Sequence, residues 1–80
     1  MLTDKQEIDI KKILNTNVNE HQSGHLYCTQ NGINKSANLL GLNYKIMGKE
    51  SKSKFRAALI DIYQSNYFTS LNTFLNSYKL

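Results

Sequence analysis

The sequence predicts a mainly α fold: a compact bundle of four or five short helices, with a short β-strand or hairpin near 25–33. Three observations carry this expectation. Apolar residues recur at three- and four-residue spacing in separate stretches, the pattern of a helix with one buried stripe. The chain has no proline and its four glycines are isolated, so the breaks between stretches fall on glycine and asparagine. With 80 residues and 40% hydrophobic content, the chain supports a single helical domain, 1–80, whose one core is marginally stable.

The first helix is expected over about 4–16. Thr3 or Asp4, followed three residues later by Gln6 or Glu7, is a capping-box signature. Ile10, Ile13, Leu14 and Val18 form its stripe, and Asp4 and Glu7 precede Lys11 and Lys12 as the helix dipole favours. Residues 17–32 read as a loop with at most one short strand at His25–Thr29. Asn31-Gly32 is the strongest turn signal in the chain, and a helix capped by Asn31 or Asn34 is expected to follow it. Ser53 is expected to cap a helix over about 54–64 with Phe55, Ala58, Leu59, Ile62 and Tyr63 as its stripe. A last helix over about 66–78 carries Tyr67, Phe68, Leu71, Phe74, Leu75 and Tyr78. Six of the eight aromatic residues lie within 55–78; they suit a core anchor, or a homodimer contact in a chain with so little surface to bury.

The net charge of +4 is confined to one segment. Residues 45–56 hold Lys45, Lys49, Lys52, Lys54 and Arg56 against Glu50 alone, while five cations and five acids balance elsewhere. Such a cluster is usually a solvated face, but it is also the electrostatic footprint of a nucleic-acid binder.

The basic segment lies directly after "INKSANLLGLN". Ala37 is a small residue four positions before Gly41, Leu40 and Leu42 flank the glycine, and Met47 lies six positions after it. At these positions residues 33–52 resemble the helix-turn-helix DNA-binding domains. The resemblance implies that Ala37 allows close helix approach, that Gly41 takes positive φ in the turn, and that Asn43 caps a recognition helix over about 43–50. Gly48 falls inside that helix at a cost of roughly 1 kcal/mol relative to Ala. Asn43, Tyr44 and Lys45 would then face base edges. Lys49, Lys52, Lys54 and Arg56, with Lys35 from the preceding helix, would neutralise phosphates. Five phosphate contacts imply a log-log salt slope of about −4 to −5. The implied function is sequence-specific or semi-specific duplex DNA binding, with no cofactor and no small-molecule substrate. A small transcriptional repressor or regulator would fit, as would the DNA-reading domain of a phage or plasmid replication initiator. The alternative is a small protein-binding module or inhibitor, of the kind mobile elements carry. It would act through the basic patch and the Tyr/Phe-rich C-terminal helix.

Other chemistry finds little support. "EHQSGHLYC" places His21, His25 and Cys28 at metal-ligand-like spacing, yet Gly24 disfavours a helix there and no further Cys or His completes a tetrahedron. Cys28 with His25 lacks an orienting partner, paired carboxylates and a Gly-rich phosphate loop are absent, and an enzyme is not expected. The single cysteine and the charged opening "MLTDKQEIDIKK" suggest a reducing, cytoplasmic location. The longest apolar run, "AALI" at 57–60, is far too short to span a membrane.

Overall fold

A computed structural model describes residues 2–78. The elements run α1 (Asp4–Asn17), β1 (Val18–Glu20), β2 (Leu26–Cys28), α2 (Gln30–Leu39), a 3₁₀ turn (Tyr44–Ile46), α3 (Lys49–Ser65) and α4 (Thr69–Tyr78). The mainly helical bundle with a small hairpin agrees with the sequence expectation.

Thr3 and Gln6 form the expected capping box at α1. Thr3 Oγ1 accepts from the Gln6 amide at 3.1 Å, and Gln6 Oε1 accepts from the Thr3 amide at 2.9 Å. Ile10 and Leu14 point into the core. After Asn17 the chain turns extended and pairs back on itself, with Val18 opposite Cys28, Asn19 opposite Tyr27 and Glu20 opposite Leu26. The hairpin therefore spans 18–28: its second strand falls within the expected 25–29, and its first strand lies upstream, in the stretch read as loop. Gly24, at φ +91°, takes the left-handed turn at its tip, closed by the His21 amide donating to the His25 carbonyl at 2.7 Å.

Asn31-Gly32 is not a turn. Both residues lie in the first turn of α2, which Thr29 caps by accepting from the Gly32 amide at 3.1 Å. Neither Asn31 nor Asn34 is the cap. What fixes this arrangement is Asn17, buried at the end of α1. Its Oδ1 accepts from Thr29 Oγ1 at 2.9 Å and from Asn31 Nδ2 at 3.3 Å, while its Nδ2 donates to the Ile13 carbonyl at 2.8 Å. Gly32 lets α2 come this close: a Cβ there would stand 2.5 Å from Asn17 Cβ and 2.8 Å from Cys28 Sγ.

α2 ends as the sequence implies. Gly41 has φ +75°, its amide donates to Asn38 O at 3.1 Å, and the Leu42 amide donates to Ala37 O at 2.8 Å. This is the paired closure of a Schellman motif. Ala37 and Met47 are buried, and Leu40 and Leu42 pack at the core's edge.

The recognition helix expected over 43–50 is absent. Asn43 caps only a 3₁₀ turn, its Oδ1 accepting from the Lys45 amide at 3.2 Å; Met47 and Gly48 are extended, and α3 starts at Lys49. Tyr44 supplies the physical reason. In a continuous helix it would lie about 16 Å along the axis from Phe55, whereas the break folds its ring back to 6.1 Å from that of Phe55. Gly48, with extended φ and ψ and open space around it, caps α3 instead of weakening its interior. Ser53 consequently lies inside α3 and is not its cap.

Asn66, in the left-handed region at φ 64°, ends α3, and α4 begins three residues later than expected. Phe68, Leu71 and Phe74 are buried and Leu75 and Tyr78 pack at the edge, but Tyr67 is 71% exposed. The buried side chains form one cluster, in which Ile10, Leu14, Phe55, Leu59, Ile62 and Leu71 are fully buried. α1 packs chiefly on α2, and α3 chiefly on α4 with β2 and α1 behind it. Among the described residues, no helix is long and apolar enough to cross a membrane.

Candidate nucleic-acid interface

Starting α3 at Lys49 rearranges the basic residues. Lys49, Lys52 and Arg56 are spaced i, i+3, i+7 and so share one face of a single helix over about 10 Å. Lys45, in the 3₁₀ turn next to Tyr44, is exposed and lines a cleft toward α2. Tyr44 joins the two elements. Its ring is buried, at 8% exposure, its hydroxyl accepts from Arg56 Nη1 at 2.6 Å, and Lys52 Nζ lies 5.4 Å from its ring centroid. The phenol thus holds both cations by their side chains, through a charge-assisted hydrogen bond and a cation–π contact. Tyr44, expected among the residues facing base edges, is thus buried, with its side chain engaged by two cations of the row.

The exposed face of α3 carries two small side chains in line with Glu50 and Gln64. Ser53 and Ala57 are exposed and lie one turn apart. Lys52 and Arg56 flank them on one side and Lys54 on the other. Lys54 is the least available cation, because its Nζ meets Glu50 Oε2 at 3.3 Å in an exposed i,i+4 pair. Lys45, Lys49 and Lys52 make no ion pair among the described residues. At the head of the helix, Gly48 contributes no side-chain cap, so the first amides of α3 have no side-chain acceptor at the positive end of the helix dipole.

Not every sequence-predicted residue joins this face. Lys35 is exposed on α2, and no side-chain hydrogen bond ties it to α3. Asn43 faces a cleft between α2 and the 3₁₀ turn, with Lys45 at its edge. The Tyr44–Arg56 bond and the Ser53–Ala57 line were not anticipated. The i, i+3, i+7 spacing of the cations was readable in the sequence, but a helix started at residue 54 separates Lys49 and Lys52 from Arg56.

The histidines occupy the exposed hairpin tip, where Ser23 Oγ lies 3.3 Å from His21 Nδ1. Burial pushes the Cys28 thiol up to about 11, so it is protonated near neutral pH and is no nucleophile there. Among the described residues no three metal-capable side chains gather.

Comparison with known proteins found no family model, no curated protein and no solved structure that this chain matches.

Proposed function

We propose that this protein binds duplex DNA through the first two turns of α3 and the adjoining 3₁₀ turn. The observation that carries the reading is the row Lys49, Lys52 and Arg56, two of its members held in place by Tyr44, with Lys45 in the adjoining 3₁₀ turn. Two exposed small side chains, Ser53 and Ala57, with cations along their flanks suit a groove bordered by phosphates. Ser53 can bond a base edge and the Ala57 methyl can meet a thymine methyl, while Lys45, Lys49, Lys52 and Arg56 contact phosphate. The uncapped amides at the start of α3 add a further phosphate contact.

The helix-turn-helix resemblance enters this proposal in altered form. Its first helix and glycine closure correspond to α2 and Gly41, but the DNA-facing helix begins at Lys49 and the base contacts move off Asn43 and Tyr44. A role as a small regulator, or as the reading domain of a replication initiator, is consistent with such a face.

A second reading has one observation in its favour. Ile46 is 75% exposed amid the lysines, and an apolar tip ringed by cations suits an acidic protein partner with a hydrophobic hollow.

Gly48→Asp tests the first reading. An aspartate can cap α3 without steric cost, since nothing lies within 4 Å of the Cβ position, and so stabilises the fold by a few tenths of a kcal/mol. The same carboxylate would repel phosphate. DNA affinity is expected to fall about tenfold at low salt while the melting temperature holds or rises. An unchanged affinity in this more stable variant would contradict the proposed placement of phosphate.

A further inference from the structure

A cleft of about 500 Å³ opens between α2 and residues 42–45, beside the basic row. Asn34 and Asn38, one turn apart on α2, form one wall, and Asn43 stands on the other. Ala37 and Leu42 contribute small apolar surface between them, and Lys45 stands at the edge. The walls are tied at their base by the Leu42 amide donating to Ala37 O, so the separation of the carboxamides is built into the backbone.

The hydrogen-bonding capacity left in the cleft is specific. Asn34 Oδ1 already accepts from Gln30 Nε2 at 3.2 Å, and Asn43 Oδ1 from the Lys45 amide at 3.2 Å. Each therefore offers its NH₂ group. The Asn38 side chain has no hydrogen-bond partner among the described residues, so it offers a donor and an acceptor together. A carboxamide is the group that pairs bidentately with the N6/N7 edge of adenine, and further NH₂ donors match the other ring-nitrogen acceptors of a purine. An ammonium at the edge suits the phosphate attached to that base. The cleft is half open to solvent, so it offers walls to one edge of a planar base and leaves the rest of the base outside.

Shape decides how such a base would arrive. The cleft is concave and cannot enter a groove; it can only receive a group that protrudes from the nucleic acid. We infer that the Asn34–Asn38–Asn43 cleft seats an unpaired purine base, one looped out of the duplex that α3 holds. The inference rests on the duplex-binding reading and adds to it a preference for DNA containing a bulged purine.

The test uses fluorescence anisotropy with three duplexes of one flanking sequence: fully paired, with a single bulged adenine, and with an abasic bulge. The abasic control removes any advantage that comes from flexibility alone. The bulged adenine should bind about tenfold more tightly than either of the others, the discrimination of one good bidentate pair. Asn38→Ala, an exposed change that favours helix, should abolish that preference and leave affinity for the paired duplex unchanged. Equal binding of the adenine and abasic bulges overturns the cleft assignment while leaving duplex binding intact, and so does a preference that survives in Asn38→Ala. Failure to bind any of the three duplexes removes the duplex-binding reading, and this inference with it.

Discussion

Replacing Gly32 with alanine should destabilise this protein, although alanine is the better helix former by about 1 kcal/mol at an ordinary helical position. The added methyl would meet Asn17 Cβ at 2.5 Å and Cys28 Sγ at 2.8 Å. The Asn17 contact cannot be relieved by swinging a side chain, because a Cβ is fixed by the α1 backbone, and the buried Cys28 sulfur has only one rotation to give. Relief requires α2 to move away, which stretches the 2.9 Å and 3.3 Å bonds from Thr29 and Asn31 to Asn17. Overpacking of this kind costs typically 1–3 kcal/mol, and the loss of a buried hydrogen bond about 1 kcal/mol more. Set against the propensity gain, the net loss is about 1–3 kcal/mol. In a domain of this size each kcal/mol corresponds to about 4–8 °C, so the melting temperature should fall by roughly 5–20 °C. Thermal and urea denaturation followed by circular dichroism measure this directly. A Gly32→Ala protein as stable as wild type, or more so, would refute the argument that close approach of α2 to Asn17 selects glycine.

Two further outcomes follow from the same structure. In Cys28→Ala the pH dependence of stability should differ from wild type only in alkali. The unfolded thiol ionises near 9.0 while the folded one holds its proton to about 11, so rising pH favours the unfolded wild type. Stability relative to the variant should drop by about 2 kcal/mol across that window and stay constant below it; parallel curves through pH 11 would contradict the burial of this thiol. The homodimer suggested by the C-terminal aromatics should not be coupled to folding, because Phe55, Phe68 and Phe74 are already buried within one chain. The melting temperature should then be independent of protein concentration over a hundredfold range, whereas a rise with concentration would show folding coupled to assembly.

How much of this was legible in the sequence depended on how local the determining contacts are. The α1 capping box, the apolar stripes and the Gly41 closure involve residues within one or two turns, and they follow from residue type and spacing. The limits of α2 do not. Asn31-Gly32 has strong turn chemistry, but a partner twelve to fourteen residues upstream, Asn17, holds Thr29 as a cap and draws Asn31 into the helix. α3 was misplaced for a related reason. Gly48 reads as a helix-weakening residue until Tyr44 is seen packed at a tilt against Phe55, which sets the break just before it and places Lys49 and Lys52 on the same helix as Arg56. The concentration of charge in 45–56 was visible from composition, but its geometry was not. The cleft of three asparagines depends on how the chain returns after Gly41, and residue spacing shows only that Asn34 and Asn38 share a face.

The duplex-binding account is tested most directly by measuring affinity for a mixed-sequence duplex across a salt series. Lys54 is engaged with Glu50, leaving Lys45, Lys49, Lys52 and Arg56 as the main phosphate contacts. The log-log slope should therefore be about −3 to −4, shallower than five contacts would give. Lys52→Ala should reduce that slope by about one. A folded protein that binds no duplex at low salt, or binds one with an affinity that salt and Lys52→Ala both leave unchanged, would contradict the account.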